Sequence, residues 1–261
     1  MRRRHLLTLP LCATWGALAH AEDAASAVSA TPGTLPLLLT APHGGTQPLG
    51  MVPARQKGVT VRDAGTSELA EQVAAALQSR TGERPYVVIA RFSRKFVDAN
   101  RAQAEAIESA AAEPAYRQYH GQIAAYVAEL KAKHPKGALM VDVHGQSQAP
   151  DTLFRGTRAG LSTQRLLQRF GPAALQGEHS LLGLLAARGY QVNPEVGSTS
   201  LLEDPRYSGG HTVATYGSHH AEGIDAIQLE FGQHQRAQAG LARDVADALL
   251  GFMRHHGLLP A

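Results

Sequence analysis

Two histidines and a glutamate stand where apolar runs of the chain end. His43 follows Leu37-Leu38-Leu39-Thr40-Ala41-Pro42 and precedes Gly44-Gly45. His144 follows Ala138-Leu139-Met140-Val141-Asp142-Val143 and precedes Gly145. Glu230 follows Ala226-Ile227-Gln228-Leu229. Glycine beside an imidazole lets the backbone turn sharply and lets a ligand come close. Neutral imidazole is the commonest metal donor, and two imidazoles with one carboxylate suit zinc. Asp63 and Glu68, where a helical pattern begins, are the candidates for that carboxylate. Asp63 is preferred because a loop position can reach a rim. Each also has a local use, Asp63 as a cap and Glu68 as a first-turn charge. Asp142 shares a strand face with His144 and would back that imidazole. A carboxylate on an apolar strand, such as Glu230, is costly to bury without a partner. Beside zinc it would serve as general base for the attacking water and then as acid for a departing amine. Arg94, Arg101 and Arg155 offer planar two-point contacts to a substrate carboxylate, although Arg94 or Arg101 could instead pair with Asp98. His211 could enter the site behind Gly209-Gly210. His219-His220 read as surface residues, and His255-His256 favour the C-terminal dipole of a last helix.

These groups need a frame that brings strand ends to one rim. Leu37–Thr40, Tyr86–Ala90, Ala138–Val143 and Ala226–Phe231 read as buried strands, and Tyr190–Val192 as a further short one. Helical periodicity covers 66–77, 116–134, 163–168 and 180–188, then 235–255 with a break near Gly240; the Ala-rich stretch 100–113 also reads as helix. Strands alternating with helices, several of the strands continuously apolar, predict a single α/β domain with a central mixed sheet flanked by helices. Ligands of such sheets bind beyond the carboxyl ends of the strands, where His43, His144 and Glu230 would meet.

The first residues are read as a secretory signal, 1–21. Arg2-Arg3-Arg4 form its basic region, a short apolar run follows, and Ala19-His20-Ala21 gives the small residues of a cleavage site. Arg3-Arg4 also permits a twin-arginine signal. Residues 22–34, rich in Ala, Ser and Thr, read as a flexible leader segment, and 35–261 as the metallohydrolase domain. Cleavage would remove Cys12, the only cysteine, so no disulfide or thiolate ligand is expected. It would also remove three of the 25 basic residues and none of the 22 acidic ones. A balanced mature charge gives no case for nucleic acid or a membrane surface. The expected location is the periplasm or the medium.

Six segments, in order, resemble the N-formylglutamate amidohydrolase family: APHGG (41–45), RDAGTSELA (62–70), SRKFVDANR (93–101), DVHGQ (142–146), GGHTVATYG (209–217) and IQLEFG (227–232). The resemblance implies a zinc-carboxypeptidase, phosphorylase/hydrolase-like α/β fold. It implies His43 and His144 as ligands of one zinc ion with Asp63 or Glu68, Glu230 as base, and Arg94 and Arg101 as carboxylate binders. It also implies an N-formyl or other N-acyl acidic amino acid, or a short peptide, as substrate. Two features depart from the family: the export signal, and Gly44 where a serine is expected. Both bear on the substrate more than on the chemistry. The rival expectations are a periplasmic or cell-wall peptide amide hydrolase, and a non-catalytic binder of zinc or an acidic ligand.

Overall fold

The apolar runs form the centre of a seven-stranded mixed sheet in the computed structural model, which describes residues 27–260. The expected signal segment 1–21 lies outside the described residues. The strands are β1 (Val28–Thr31), β2 (Leu37–Ala41), β3 (Tyr86–Ala90), β4 (Leu139–Gln146), β5 (Thr152–Gly156), β6 (Gln191–Asn193) and β7 (Asp225–Gly232), in the spatial order β1-β3-β2-β4-β7-β5-β6. β3, β2, β4 and β7 run parallel; β1 is antiparallel to β3, β5 is antiparallel to β7, and β6 is parallel to β5. The principal helices are α1 (Thr66–Thr81), α2 (Glu113–Lys133), α3 (His211–Tyr216) and α4 (Leu241–His255). The expected single α/β domain with a mixed sheet is what the chain forms. Among the described residues no helix is long and apolar enough to cross a membrane.

The central strands read as unbroken apolar runs because both of their faces are covered. Leu37, Leu39, Val87, Ile89, Leu139, Val141, Ile227 and Leu229 pack on one face with α1 and α4. Leu38, Tyr86, Val88, Met140 and Ala226 pack on the other with α2, through Tyr119, Ile123, Val127 and Leu130. Side chains alternate along a strand with a period of two. Thr40, Asp142, His144, Gln228 and Glu230 therefore fall on the α2 side, as continuations of the second set beyond its apolar part. The sheet supplies the site by letting one face turn polar at its carboxyl end.

Two sequence expectations are corrected. Residues 28–31, expected within a flexible leader, form β1 and pair with Val87–Ala90. An edge strand needs few large side chains when a partner supplies the hydrogen-bond ladder. The expected helix over 100–113 is only Gln103–Ala106 and a short 3-10 turn at Ala110–Ala112. Alanine favours helix there, but Asp98 and Asn100 turn into the site and break the segment at its start.

Candidate metal centre and active-site cleft

β4 and β7 run parallel in a register that sets His144 opposite Glu230, and β2 sets Thr40 opposite Asp142. The loop after β2 carries His43, and the segment entering α1 carries Asp63, whose N–H donates to the His43 carbonyl at 3.1 Å. The α1 N-terminus lies directly against Gly44: a Cβ there would sit 2.3 Å from Ser67 Oγ and 2.5 Å from Ser67 N. The serine expected at this position has no room. On the opposite wall, a Cβ on Gly145 would meet Arg236 Nη1 at 2.4 Å.

His43, Asp63 and His144 are buried and bring one donor atom each to within 4.8 Å of the others. Asp63 Oδ2 lies 3.4 Å from His43 Nδ1 and 3.2 Å from His144 Nδ1. Each imidazole gives its far nitrogen to a buried carboxylate. His43 Nε2 donates to Asp98 Oδ1 at 2.7 Å, and His144 Nε2 donates to Asp142 Oδ2 at 2.9 Å. A carboxylate can only accept, so each Nε2 carries a proton, and between Nδ1 and the Asp63 oxygen either a second proton or a cation must stand. The backing acids are themselves held. Asp98 takes Arg94 Nε and Nη2 at 3.1 and 3.0 Å and the Asn100 N–H at 3.1 Å. Asp142 takes Thr40 Oγ1 at 2.6 Å. The expected backing role of Asp142 matches this contact.

The donor set fits a metal ion. His43 Nδ1 is buried and has no hydrogen-bond partner, an orphan of the kind a cation satisfies. Tetrahedral zinc with bonds of about 2.0–2.1 Å separates its ligand atoms by about 3.3 Å, which matches the spacing of both imidazoles from Asp63 Oδ2. Charge points the same way: Asp63, Asp98, Asp142 and Glu230 converge on a buried volume in which Arg94 is the paired cation. Burial alone would raise the Asp63 carboxyl and lower His144, but the neighbouring opposite charges win. His43 and His144 hold Asp63 well below the carboxylate range, and Asp142 and Glu230 lift His144 well above the usual imidazole value. Glu68, the other candidate ligand, faces solvent on the first turn of α1. The first-turn position rotates it away from the rim.

Glu230 is buried, 3.8 Å from His144 Nδ1, and accepts Gln228 Nε2 at 3.0 Å. Burial raises its pKa, and His144 only partly offsets this. Gln228 also accepts the Gly210 N–H at 2.8 Å and Asn100 Nδ2 at 3.3 Å, while Asn100 Oδ1 takes the Thr212 N–H at 2.8 Å. These buried amides lock the Asp98–Asn100 segment, the start of α3 and β7 into one unit. His43, Asp63, Arg94, Asn100, Arg101, His144, Tyr207, Gly210, Gln228 and Glu230 all line a single cavity of about 420 Å³.

The three candidate arginines separate. Arg101 lies exposed on the cavity wall. Arg94 faces the cavity, but its guanidinium is taken by Asp98 and, at 3.4 Å, by Asp63. It orients the cluster rather than offering a free two-point contact. Arg155 is a correction. It is buried away from the cavity, bonded to Glu203 at 2.9 Å and to the Leu175 carbonyl at 2.5 Å. Glu203 also accepts the N–H groups of Thr157 and Ala159. Breaking a buried pair from one side leaves a bare charge, at a cost of about 3–5 kcal/mol. Arg155→Met is therefore expected to lose stability on that scale in urea unfolding, with substrate KM unchanged in the folded fraction.

Asp98, Asn100, Gln228, Tyr207 and Arg236 join the site without having been singled out for it. Gln228 carried a legible signal, because it shares a strand face with Glu230. Arg236, three residues into a short helical turn, donates to the Ala64 carbonyl at 2.9 Å and the Gln146 carbonyl at 3.2 Å, tying the Asp63 segment to β4. Nothing local announces that contact. His211 stays outside the cavity, its Nε2 3.2 Å from the Tyr116 hydroxyl.

Behind the Asp98 segment, His120 on α2 donates Nε2–H to the Ala99 carbonyl at 2.9 Å, among Tyr116, Tyr119, His211 and Tyr216. Burial, with His211 adding repulsion, pushes its pKa down to about 4. The unfolded chain, with an imidazole near 6.5, then binds more protons between pH 6.5 and 4. Stability should rise with pH across that window and fall as it is acidified, by about 3 kcal/mol in full. Urea midpoints at pH 4.5 and 7 should differ far less in His120→Gln, whose amide can still donate to Ala99.

Comparison with known proteins follows the same lines. A sequence profile described as N-formylglutamate amidohydrolase matches residues 104–236, just over half of the 261-residue chain. The fold resembles the crystal structure of N-formylglutamate amidohydrolase from Ralstonia eutropha JMP134, at 17% identity and a TM-score of 0.54 over 88% of this chain and 97% of that one. It also resembles gene product Atu2144 from Agrobacterium tumefaciens, at 17% identity and a TM-score of 0.55 over 88% and 94%. No curated protein sequence matches. The fold is a single α/β domain, and by family the protein is a hydrolase of amide bonds. The chain belongs to the N-formylglutamate amidohydrolase family.

Proposed function

We propose that this protein is an exported, zinc-dependent amidohydrolase that splits an N-acyl acidic amino acid, with N-formylglutamate as the reference substrate. The observation that carries this reading is the pair of imidazoles whose Nδ1 atoms face Asp63 while their Nε2–H groups are anchored on Asp98 and Asp142. His43, Asp63 and His144 would hold the ion. When bound, zinc supplies Lewis acidity towards the amide carbonyl and makes a neighbouring water acidic. The other steps belong to the chain. Glu230 takes the proton of the attacking water and passes it to the departing nitrogen, so that the amine leaves neutral. Gln228 keeps the carboxylate aimed into the cavity. Arg101 holds the acidic end of the substrate, which fixes the amide in register. A passive zinc binder would have no use for a buried carboxylate beside its ligands, so the non-catalytic reading is the weaker one. Export is supported by the Arg2-Arg3-Arg4 region and the apolar run after it.

Zinc-loaded protein should release formate from N-formyl-L-glutamate, stop on chelation and resume when zinc is restored. Folded, zinc-containing protein that releases none would sink the substrate assignment. Arg101→Ala should raise KM by about 10–100-fold, the worth of one charge-assisted contact, with kcat changed much less; an unchanged KM would remove Arg101 from the substrate site.

A further inference from the structure

The cleft does not end at the metal cluster. The cavity with Arg101 and Gly210 holds it. Past Asp63 and Gly145, a second depression of about 670 Å³ opens between the segment from Val59 to Gly65 and the turn carrying Gln233 and Ala237. The two share Val59, Asp63, Arg94, Gly145, Gln146 and Tyr207. The cluster thus lies in the first cavity and meets the second lobe at Asp63. If Arg101 holds the acidic amine-side residue, the acyl group of the substrate points into this second lobe. A formyl group is one carbon and fills none of it, whereas each lobe falls in the range of about 300–1,000 Å³ that suits a much larger ligand.

The lining says what kind of group fits. Val59 and Val61 stand on the lip with 53% and 73% of their surface exposed, and Ala64 and Ala237 add apolar wall. Exposed apolar side chains at the mouth of a cleft gain from being covered. Gln148 and Gln233 can pair with peptide groups. Among the described residues the one carboxylate on this wall is Asp63, which belongs to the cluster, and its three guanidinium groups already have partners: Arg94 with Asp98 and Asp63, Arg236 with the Ala64 and Gln146 carbonyls, and Arg62 with the Gly44 carbonyl at 3.4 Å. No acid is left for a free ammonium.

The geometry points to an acyl side that is extended, free of positive charge and partly apolar: the substrate class is an N-blocked peptide cut on the amine side at an acidic residue. This rests on the hydrolytic reading of the cluster above. In the cut, water adds its oxygen to the carbonyl carbon, the C–N bond breaks and the nitrogen takes the proton, giving a blocked acyl amino acid and free glutamate.

The test compares kcat/KM of the zinc-loaded protein for N-acetyl-Val-Glu and for N-formyl-Glu. One apolar contact of methylene size discriminates by about 10–200-fold, so the blocked dipeptide should be better by at least about tenfold. Ala237→Trp, at an exposed position that narrows the second lobe, should lower that ratio by about the same factor. Unblocked Val-Glu should be slower than its acetylated form. A preference for N-formyl-Glu, or a ratio that Ala237→Trp leaves in place, overturns the proposal. Should neither compound be cut, the hydrolytic reading fails separately, and calorimetric binding to zinc-loaded Glu230→Gln decides the lobe. Tighter binding of the blocked dipeptide, weakened by Ala237→Trp, upholds it; equal binding of the two compounds overturns it.

Discussion

Glu230→Gln should lower kcat by about 100- to 10,000-fold, the usual worth of a positioned general base, while zinc content and KM hold. The substitution is nearly isosteric. Its amide oxygen can still accept Gln228 Nε2, so the strand register and the partner bond survive. The change removes a buried negative charge whose pKa burial already raises, so folding should not suffer. What disappears is a group able to take a proton next to His144, with which Glu230 stands in register across β4 and β7. Steady-state kinetics with metal analysis on the same sample would check this. Metal-replete Glu230→Gln with wild-type kcat would show that the proton goes elsewhere.

The second large effect is on the metal. Removing a backing carboxylate from a metal-bound imidazole costs about 10–100-fold in affinity, and removing the ligand itself costs more. Asp98→Asn should fall in that range, and His43→Ala should exceed about 100-fold. His43 is a cleaner choice than His144. Without His43, Asp98 keeps Arg94 at 3.0 Å. Without His144, the fully buried Asp142 keeps only the Thr40 hydroxyl. His144→Ala would therefore mix a lost ligand with a folding defect. Competition against a chromophoric chelator would measure the affinities. His43→Ala binding zinc as tightly as wild type would exclude His43 as a ligand.

Much of this centre is legible in the chain. Fully buried parallel strands announce themselves as apolar runs, and a period of two then says that Asp142 with His144, and Gln228 with Glu230, share a face. What the sequence leaves open is decided by contacts between distant segments. Asp63 is favoured over Glu68 only by its loop position until the entry to α1 turns one inward and the other to solvent. Arg94, Arg101 and Arg155 look alike as guanidinium groups; only their neighbours Asp98, solvent and Glu203 separate them. Nothing in the chain around Arg155 announces Glu203, which lies on a distant loop with no periodic pattern. β1 and the short strand β5 leave little trace in the chain, because edge and antiparallel strands need few apolar residues. In 100–113 the alanine content reports a local helix preference, while Asp98 and Asn100 serve the site and cut the helix short.

A zinc-edge anomalous difference map from crystals grown with zinc would test the metal centre most directly. The expected result is a single peak about 2.0–2.2 Å from His43 Nδ1, Asp63 Oδ2 and His144 Nδ1, with both Nε2 atoms still on their carboxylates. Zinc bound elsewhere, or an empty cluster in protein that hydrolyses its substrate, would contradict it.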